Sequence, residues 1–527
     1  MPVPPPAGAG AQDDPVMPAD GDLPPAAPSG HFSLRQRAGL FGAPVALVLL
    51  LLLDPPQGMS VDAWRTAAVG LFMAAWWITE ALPIAATALI PLILFPVLGI
   101  LPVAATAAPY ANPIIFLFLG GFVLALAMQR HHLHRRIALG VVRIMGVQPH
   151  RLVLGFMLAT AFVSMWVSNT ATTVMMLPIG LSVVQLVRPD ADEGPMSFNF
   201  AIALMLGIAY AASIGGLATL IGTPPNALLA GFMLETYGVE VGFAQWLLVG
   251  LPLVLVALPL CWALLTRVVF PIRIREIPGG RDTIRALYRA LGPTSRAEKW
   301  VGFVFLLTAT LWIVRPAIDG FVPGLSDTGI AVAAALLTFI VPIDLRKGEF
   351  LLDWKTAERL PWGVLLLFGG GLALADAVTR SGLAEWIGAS LGILGSWPLP
   401  LLVVLVTVVI IFLTELTSNT ATAAAFLPLV ASLAIGLGEN PFLLVVPAAI
   451  AASCAFMLPV ATPPNAIVYG SGHVTVPQMA RGGIWLNLIF VGLITLLTYT
   501  IVILAFGIDL GTVPEWALSA RAVTAGS

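Results

Sequence analysis

The chain reads as an all-α polytopic membrane protein of about eleven transmembrane helices with two re-entrant hairpins, arranged as two inverted repeats. Three observations lead there. Of 527 residues, 59% are hydrophobic and 10% are charged, with a mean hydropathy of +0.97, whereas soluble domains carry about a quarter charged residues. Apolar stretches long enough to span a bilayer, roughly 20 residues each, recur along the whole chain. A polar cluster embedded in them, VSNTATTVMMLP at 167–178, returns as TSNTATAAAFLP at 417–428, and GTPPN at 222–226 returns as ATPPN at 461–465.

Residues 1–34 are rich in Pro, Ala, Gly and Asp, lack an apolar signal-peptide core, and read as a disordered N-terminal tail. The first transmembrane half, 35–272, offers spans near 40–58, 61–79, 83–101, 112–129 and 241–266. Between the last two lie a hairpin at 151–187, interrupted by Ser-Asn-Thr, and a broken helix at 199–234, interrupted by Thr-Pro-Pro-Asn. A cytoplasmic interfacial linker is expected at 273–297. The second half, 298–507, offers spans near 298–318, 325–343, 361–378 and 483–507, a hairpin at 400–436 and a broken helix at 441–471, before a C-terminal tail at 508–527. Irregular backbone at membrane depth is tolerated only where protein buries it or where it lines a cavity, so the four breaks are the place to look for a site. Segments 130–147 and 273–291 mix basic and apolar residues at helical spacing, as helices lying in the interface do.

Basic residues test the topology. Arg35 and Arg37, the Arg130 to Arg151 group, the Arg267 to Lys299 group, the Arg346 to Arg359 group and Arg481 all fall on one side of an eleven-crossing chain, against Arg65, Arg315 and Arg380 on the other. The positive-inside rule then puts the N-terminus in the cytoplasm and the C-terminus outside, in an inner or plasma membrane. A formal net charge of -2 without a basic face gives no reason to expect a nucleic-acid partner. Cys261 and Cys454 sit in apolar runs and imply no disulfide framework. The run RHHLHRR at 130–136 has no carboxylate or cysteine beside it, so metal binding is not expected there. Neither Ser-Asn-Thr has a nearby His, and His473 lies beyond the second broken helix, which speaks against an intramembrane hydrolase. Glu80 and Glu415 are intramembrane acids, functional candidates or braces for helix termini; the sequence assigns Asp376 no role.

Offset by 250, Ser168-Asn169-Thr170 aligns with Ser418-Asn419-Thr420; offset by 239, Thr223-Pro224-Pro225-Asn226 aligns with Thr462-Pro463-Pro464-Asn465. A lone Ser or Thr in a membrane helix usually bonds back to a carbonyl one turn earlier, and a lone Pro is usually a kink. Doubling with matched spacing favours one site built from both halves, where broken helices meet. Helix N-termini suit anions, and unwound carbonyls with Ser, Thr and Asn oxygens suit a hard cation such as sodium. Proline, lacking an N–H, is expected to break the preceding helix and free its carbonyls.

The segments SMWVSNTATTVMMLP, IGTPPNALLAG, LLLFGGGLALADA, LTELTSNTATAAAFLP and PVATPPNAIVYGSG resemble the divalent anion/sodium symporter family, over about residues 35–507. The resemblance implies a sodium-coupled di- or tricarboxylate transporter for succinate, malate, fumarate or citrate, working as an elevator-type homodimer in the lipid bilayer. It implies one sodium site from Ser164, Ser168, Asn169 and the Gly222 carbonyl, and a second from Thr414, Thr417, Asn419 and the Ala461 carbonyl. Substrate carboxylates would meet Ser168, Asn169, Thr170, Ser418, Asn419, Thr420, Thr462 and Pro463. Thr417 stands where a small residue is expected. The alternatives are a sodium-independent dicarboxylate exchanger and a permease for sulfate or another inorganic anion on the same fold.

Overall fold

A computed structural model describes residues 33–187, 199–274, 276–277, 279–390 and 397–518; the expected N-terminal tail lies outside them except for its last two residues. Helix α1 (Leu34–Leu52) starts earlier than the apolar run suggested, because Ser33 and Gln36 cap each other reciprocally at 3.2 and 3.0 Å. Helix α2 (Val61–Thr79) follows. The expected single span at 83–101 is instead two short helices, α3 (Ile84–Thr87) and α4 (Pro91–Val97). Pro91 brings no N–H to continue the α3 ladder and opens the next helix instead.

Then come α5 (Val103–Ala107), α6 (Pro113–Arg130), α7 (Leu133–Met145), α8 (Pro149–Ser164), α9 (Asn169–Val184), α10 (Asn199–Gly216), α11 (Pro224–Tyr237) and α12 (Phe243–Ala263), the last running into a π turn at Leu264–Val269. Among the described residues of the expected interfacial segment at 273–291, only α13 (Gly280–Ala290) is helical. The second half holds α14 (Arg296–Ile318), α15 (Asp327–Ile340), a short antiparallel pair β1 (Pro342–Asp344) and β2 (Glu349–Phe350), α16 (Trp354–Ala357), α17 (Trp362–Arg380), α18 (Leu383–Ser390), α19 (Leu399–Thr414), α20 (Asn419–Gly436), α21 (Phe442–Ala452), α22 (Pro463–Gly470), α23 (Val476–Leu497) and α24 (Ile503–Phe506). Among the described residues the regular structure is thus helical but for one two-stranded turn.

By length and composition, eight stretches among the described residues can cross a membrane: α1, Val103–Arg130, α10, Phe243–Val269, α14, α17, α20 and Val476–Phe506. Both arms of the first Ser-Asn-Thr segment, α8 and α9, have 16 residues each, fewer than the ~20 that a full crossing needs. Burial sorts the helices. Helix α10 is 94% buried inside the protein and α1 only 17%, so α10 is central while α1 shows Phe41, Val45 and Leu49 outward.

The halves pack by the same plan. Helix α8 lies on α10 and α19 on α21. Helices α7 and α18 each open after a left-handed residue, His132 (φ 57°) and Gly382 (φ 79°), 250 positions apart. The short second pieces cross over: α11 packs on α20, and α22 packs on α9. Each half therefore completes the other's core. Cys261 and Cys454 are both buried and free. Residues 508–518 of the expected tail return to the body, where the Trp516 ring meets those of Tyr237 and Phe442.

Candidate functional site: two oxygen clusters at the hairpin tips

Helix α8 ends at Ser164 and α9 begins at Asn169, with Ser168 as its N-cap, accepting from Ala171 N at 3.3 Å. This tight reversal drops Asn169 back beside Ser164. Ser164 Oγ lies 2.6 Å from Asn169 Oδ1 and 2.8 Å from the Ala212 carbonyl. A hydroxyl carries one hydrogen, so three oxygens share it. The Gly222 carbonyl joins them: a Cβ added at Gly216 would lie 2.7 Å from Asn169 Oδ1 and 2.9 Å from Gly222 O. Only a glycine backbone lets these oxygens approach from two sides.

The second half repeats the arrangement. Thr414 Oγ1 lies 2.7 Å from Asn419 Oδ1 and 2.9 Å from the Ala452 carbonyl. In both halves the site is thus rich in acceptors and poor in hydrogens, the chemistry that a hard cation completes. The asparagine of each Pro-Pro-Asn is an anchor for its break. Asn226 Nδ2 donates to the carbonyls of Gly216 (3.2 Å), Leu217 (3.3 Å) and Thr219 (2.8 Å), and Asn465 Nδ2 to those of Ala455 (3.2 Å) and Leu458 (3.0 Å). The two breaks meet where Thr223 Oγ1 comes within 3.4 Å of Ser453 Oγ.

The prolines do not end the preceding helices, as had been expected. Helix α10 stops at Gly216 and α21 at Ala452, upstream of Pro224 and Pro463, which stand in the first turn of α11 and α22. In the first turn no N–H is needed, so proline starts these helices rather than breaking the earlier ones.

Among the expected ligands, Ser164, Asn169 and Gly222 come together, as do Thr414 and Asn419. Ser168 and Thr170 flank the first tip and are exposed; Ser418 is half-buried and Thr420 buried at the second. Thr417 Oγ1 is engaged within its hairpin, 3.0 Å from Leu413 O and 2.7 Å from Thr422 Oγ1. Ala461 lies in the turn before α22, its N–H on Leu458 O at 3.2 Å, and among the described residues no hydrogen bond ties it to Asn419. Thr462 caps α22, accepting from Asn465 N at 3.3 Å, and Pro463 is exposed beside it.

Glu415 is a brace. Its buried carboxylate accepts from the amides of Phe456 (2.7 Å), Met457 (2.9 Å) and Leu458 (3.1 Å) and from Asn487 Nδ2 (2.8 Å). Asn487, fully buried on α23, was not anticipated; an amide in the apolar middle of that helix was its signal. Tyr210, fully buried on α10, was also missed; its hydroxyl donates to Phe456 O at 2.7 Å. Asp376 is paired with Arg380 one turn on, at 2.7 Å. Glu80 ends α2 in a left-handed conformation. In the RHHLHRR run, His131 Nε2 faces Leu351 O at 2.7 Å and His134 Nδ1 faces Met128 O at 3.1 Å, and burial pushes His134 down to about 4.

A family described as the sodium:sulfate symporter transmembrane region matches residues 35–507. The sodium-dependent dicarboxylate transporter SdcS of Staphylococcus saprophyticus is 46% identical over 486 residues, 91% of this chain and 93% of the relative. The protein of the same name from Staphylococcus aureus strain USA300 is 44% identical over 486 residues, 91% of this chain and 94% of the relative. Among solved structures, the YdaH transporter of Alcanivorax borkumensis superposes with a TM-score of 0.56 at 15% identity, covering 83% of this chain and 98% of its own. MtrF of Neisseria gonorrhoeae, described within a class of antimetabolite efflux pumps, gives 0.52 at 10% identity, covering 88% of this chain and 95% of its own. At those identities the two structures speak to the fold alone.

Proposed function

The chain belongs to the sodium:sulfate symporter transmembrane family, and from that premise we propose that it is a secondary active transporter coupling sodium to uptake of dicarboxylates such as succinate, malate and fumarate. The observation that carries the reading is the doubled cluster in which Ser164 with Asn169, and Thr414 with Asn419, share one hydroxyl hydrogen among several oxygens. The names of the SdcS relatives support the substrate class.

On this reading one sodium is held by Ser164, Ser168, Asn169 and the Gly222 carbonyl. The other is held by Thr414, Asn419 and the carbonyls of Thr417 and Ala461, the Thr417 hydroxyl being already engaged. The dicarboxylate meets Ser168, Asn169, Thr170, Ser418, Asn419, Thr420, Thr462 and Pro463, at the N-termini of α9, α20 and α22, whose dipoles favour negative charge. Neither tip nor break contains Lys or Arg. The cations therefore supply the positive field, since burying a dianion without one costs several kcal/mol per charge.

The finer architecture belongs to the same proposal. The chain crosses eleven times, both Ser-Asn-Thr hairpins are re-entrant, and the halves 35–272 and 298–507 are inverted about the linker at 273–297. The N-terminus is cytoplasmic and the C-terminus outside, as the arginine distribution favours. Two copies pair through a scaffold, and the hairpins and broken helices move as an elevator. The family's description as sodium:sulfate symporters favours sulfate as the second substrate class.

Succinate uptake into proteoliposomes, with sodium replaced by choline at constant pH, tests the coupling. Uptake should collapse without sodium and rise with a Hill coefficient above one when it is restored. Undiminished uptake in choline would reject symport and favour an exchanger; sulfate outcompeting succinate would move the substrate class. Asn169→Ala and Asn419→Ala should each abolish uptake in protein that still folds, while Thr170→Val weakens succinate affinity with sodium binding retained.

A further inference from the structure

A concavity lies away from the hairpins, between α7 and α13. It encloses about 320 Å³ and is lined by Val142, Arg143, Ile144, Gly146, Val147, Arg281, Ile284 and Arg285. Its floor is apolar, Val142 and Ile284 being buried. Its walls are cationic, with Arg143 from one helix facing Arg281 and Arg285 from the other. Among the described residues, no carboxylate forms an ion pair with any of these three. Arg136, by contrast, is taken by Glu298 at 2.8 Å. The Arg143 guanidinium sits 5.3 Å from the centre of the Tyr288 ring, which fixes its direction without neutralising it. Three arginines that line one cavity and have no ion-pair partner among the described residues gain from an anion.

The level of the pocket relative to the bilayer follows from the same contacts. The Arg136–Glu298 pair ties α7 to the first turn of α14, a helix long and apolar enough to span. Trp300, one turn along, is partly exposed, as interfacial tryptophans are. Helices α7 and α13 thus lie at headgroup depth, and Ile144, at the rim of the pocket, is 85% exposed, an apolar side chain placed where acyl chains begin.

We propose that this pocket binds the phosphate headgroup of an acidic phospholipid, with Arg143, Arg281 and Arg285 as its counter-charges and Ile144 against its acyl chains. Guanidinium forks match phosphate oxygens in geometry, and juxtamembrane arginines gain from anionic lipid by about 1 kcal/mol each, roughly fivefold in affinity. The site is independent of the transport reading and needs only that the chain sits in a membrane.

Full-length protein in mixed micelles, titrated with phosphatidylglycerol or phosphatidylcholine and read by native mass spectrometry, tests the assignment. The wild type should retain phosphatidylglycerol over phosphatidylcholine. The combined Arg143→Gln, Arg281→Gln and Arg285→Gln variant should bind it on the order of 100-fold more weakly, while Arg346→Gln with Lys347→Gln, on exposed residues elsewhere, should bind as the wild type does. If the triple variant does not fold, Arg281→Gln alone carries the test, with a loss of roughly fivefold. Equal retention of both lipids by the wild type, or undiminished phosphatidylglycerol binding by the arginine variants, overturns the proposal. Displacement of the lipid by equimolar inorganic phosphate would assign the pocket to a free anion and overturn the lipid assignment.

Discussion

At the first hairpin tip residue 165 is a methionine, and its carbonyl accepts from Thr219 Oγ1 at 2.6 Å. The equivalent residue 250 positions later is Glu415, and there the side chain holds the tip to its broken helix, through the amides of residues 456–458. The difference originates in the breaks. In the first half, Leu217 N and Ala218 N still bond to Ile214 O and Gly215 O, at 3.1 and 3.0 Å. In the second half α21 stops three positions sooner in the alignment, and the corresponding amides would be orphaned without the carboxylate. The oxygen pairs at the tips are alike and their supports are not. Geometry at the proposed ion is therefore separable from the means of holding it.

The sharpest test of that separation is Glu415→Ala. It leaves the buried amide of Phe456, the part-buried amides of Met457 and Leu458 and the Asn487 amide without their acceptor and should cost about 3 kcal/mol or more of stability, read as a fall in the thermal unfolding midpoint in detergent. Thr219→Val, which removes one neutral bond from the first tip, should cost about 1 kcal/mol. Equal losses would mean that both tips are held alike.

Next in size is the pair Gly216 and Ala455, equivalent by the 239 offset. A methyl at Gly216 would press on Asn169 Oδ1 and Gly222 O, whereas Ala455 already carries one. Overpacking of ~1–3 kcal/mol directed at the first oxygen cluster should weaken sodium activation of uptake by roughly tenfold in Gly216→Ala, with little change in Ala455→Gly. A fold-wide loss of stability in Gly216→Ala with unchanged sodium dependence would instead make the glycine a packing residue.

The smallest contrast concerns two threonines. Thr422 Oγ1 is paired with Thr417 Oγ1 at 2.7 Å, but the equivalent Thr172 hydroxyl is buried with no partner among the described residues, because Val167 stands where Thr417 does. Thr172→Val should be neutral or slightly stabilising, and Thr422→Val should cost about 1 kcal/mol. Reversal of that order by thermal unfolding would break the comparison at its finest grain.

What was legible beforehand was local or periodic. The doubled Ser-Asn-Thr and Pro-Pro-Asn patterns located both tips and both breaks, and Ser164 and Thr414 were placed with their asparagines through the resemblance. What was not legible depends on distant chain. Thr219 and Tyr210 bond to backbone 54 and 246 residues away and Asn487 to a carboxylate 72 residues away, and no local pattern announces such a bond. The helix ends were misjudged for another reason: proline reads as a stop, yet in the first turn it is a start, and the true ends lie upstream at Gly216 and Ala452. The third span was expected as one helix because 83–101 is apolar throughout, and Pro91 divides it into two.

The crossing-over of the short helices also bears on how the molecule comes into being. Helix α11 packs on α20, and α22 packs on α9, so the ribosome finishes one member of each pair well before it begins the other. At ~5–20 residues per second, α11 waits roughly ten to forty seconds for its partner. During that interval the first half has α9 and a broken helix without the neighbours that later pack on them. The newborn chain must therefore be sheltered within the insertion machinery or by lipid-facing helices until its second half arrives. A ribosome stalled after residue 272 would leave not half a transporter but a membrane segment with an exposed polar seam.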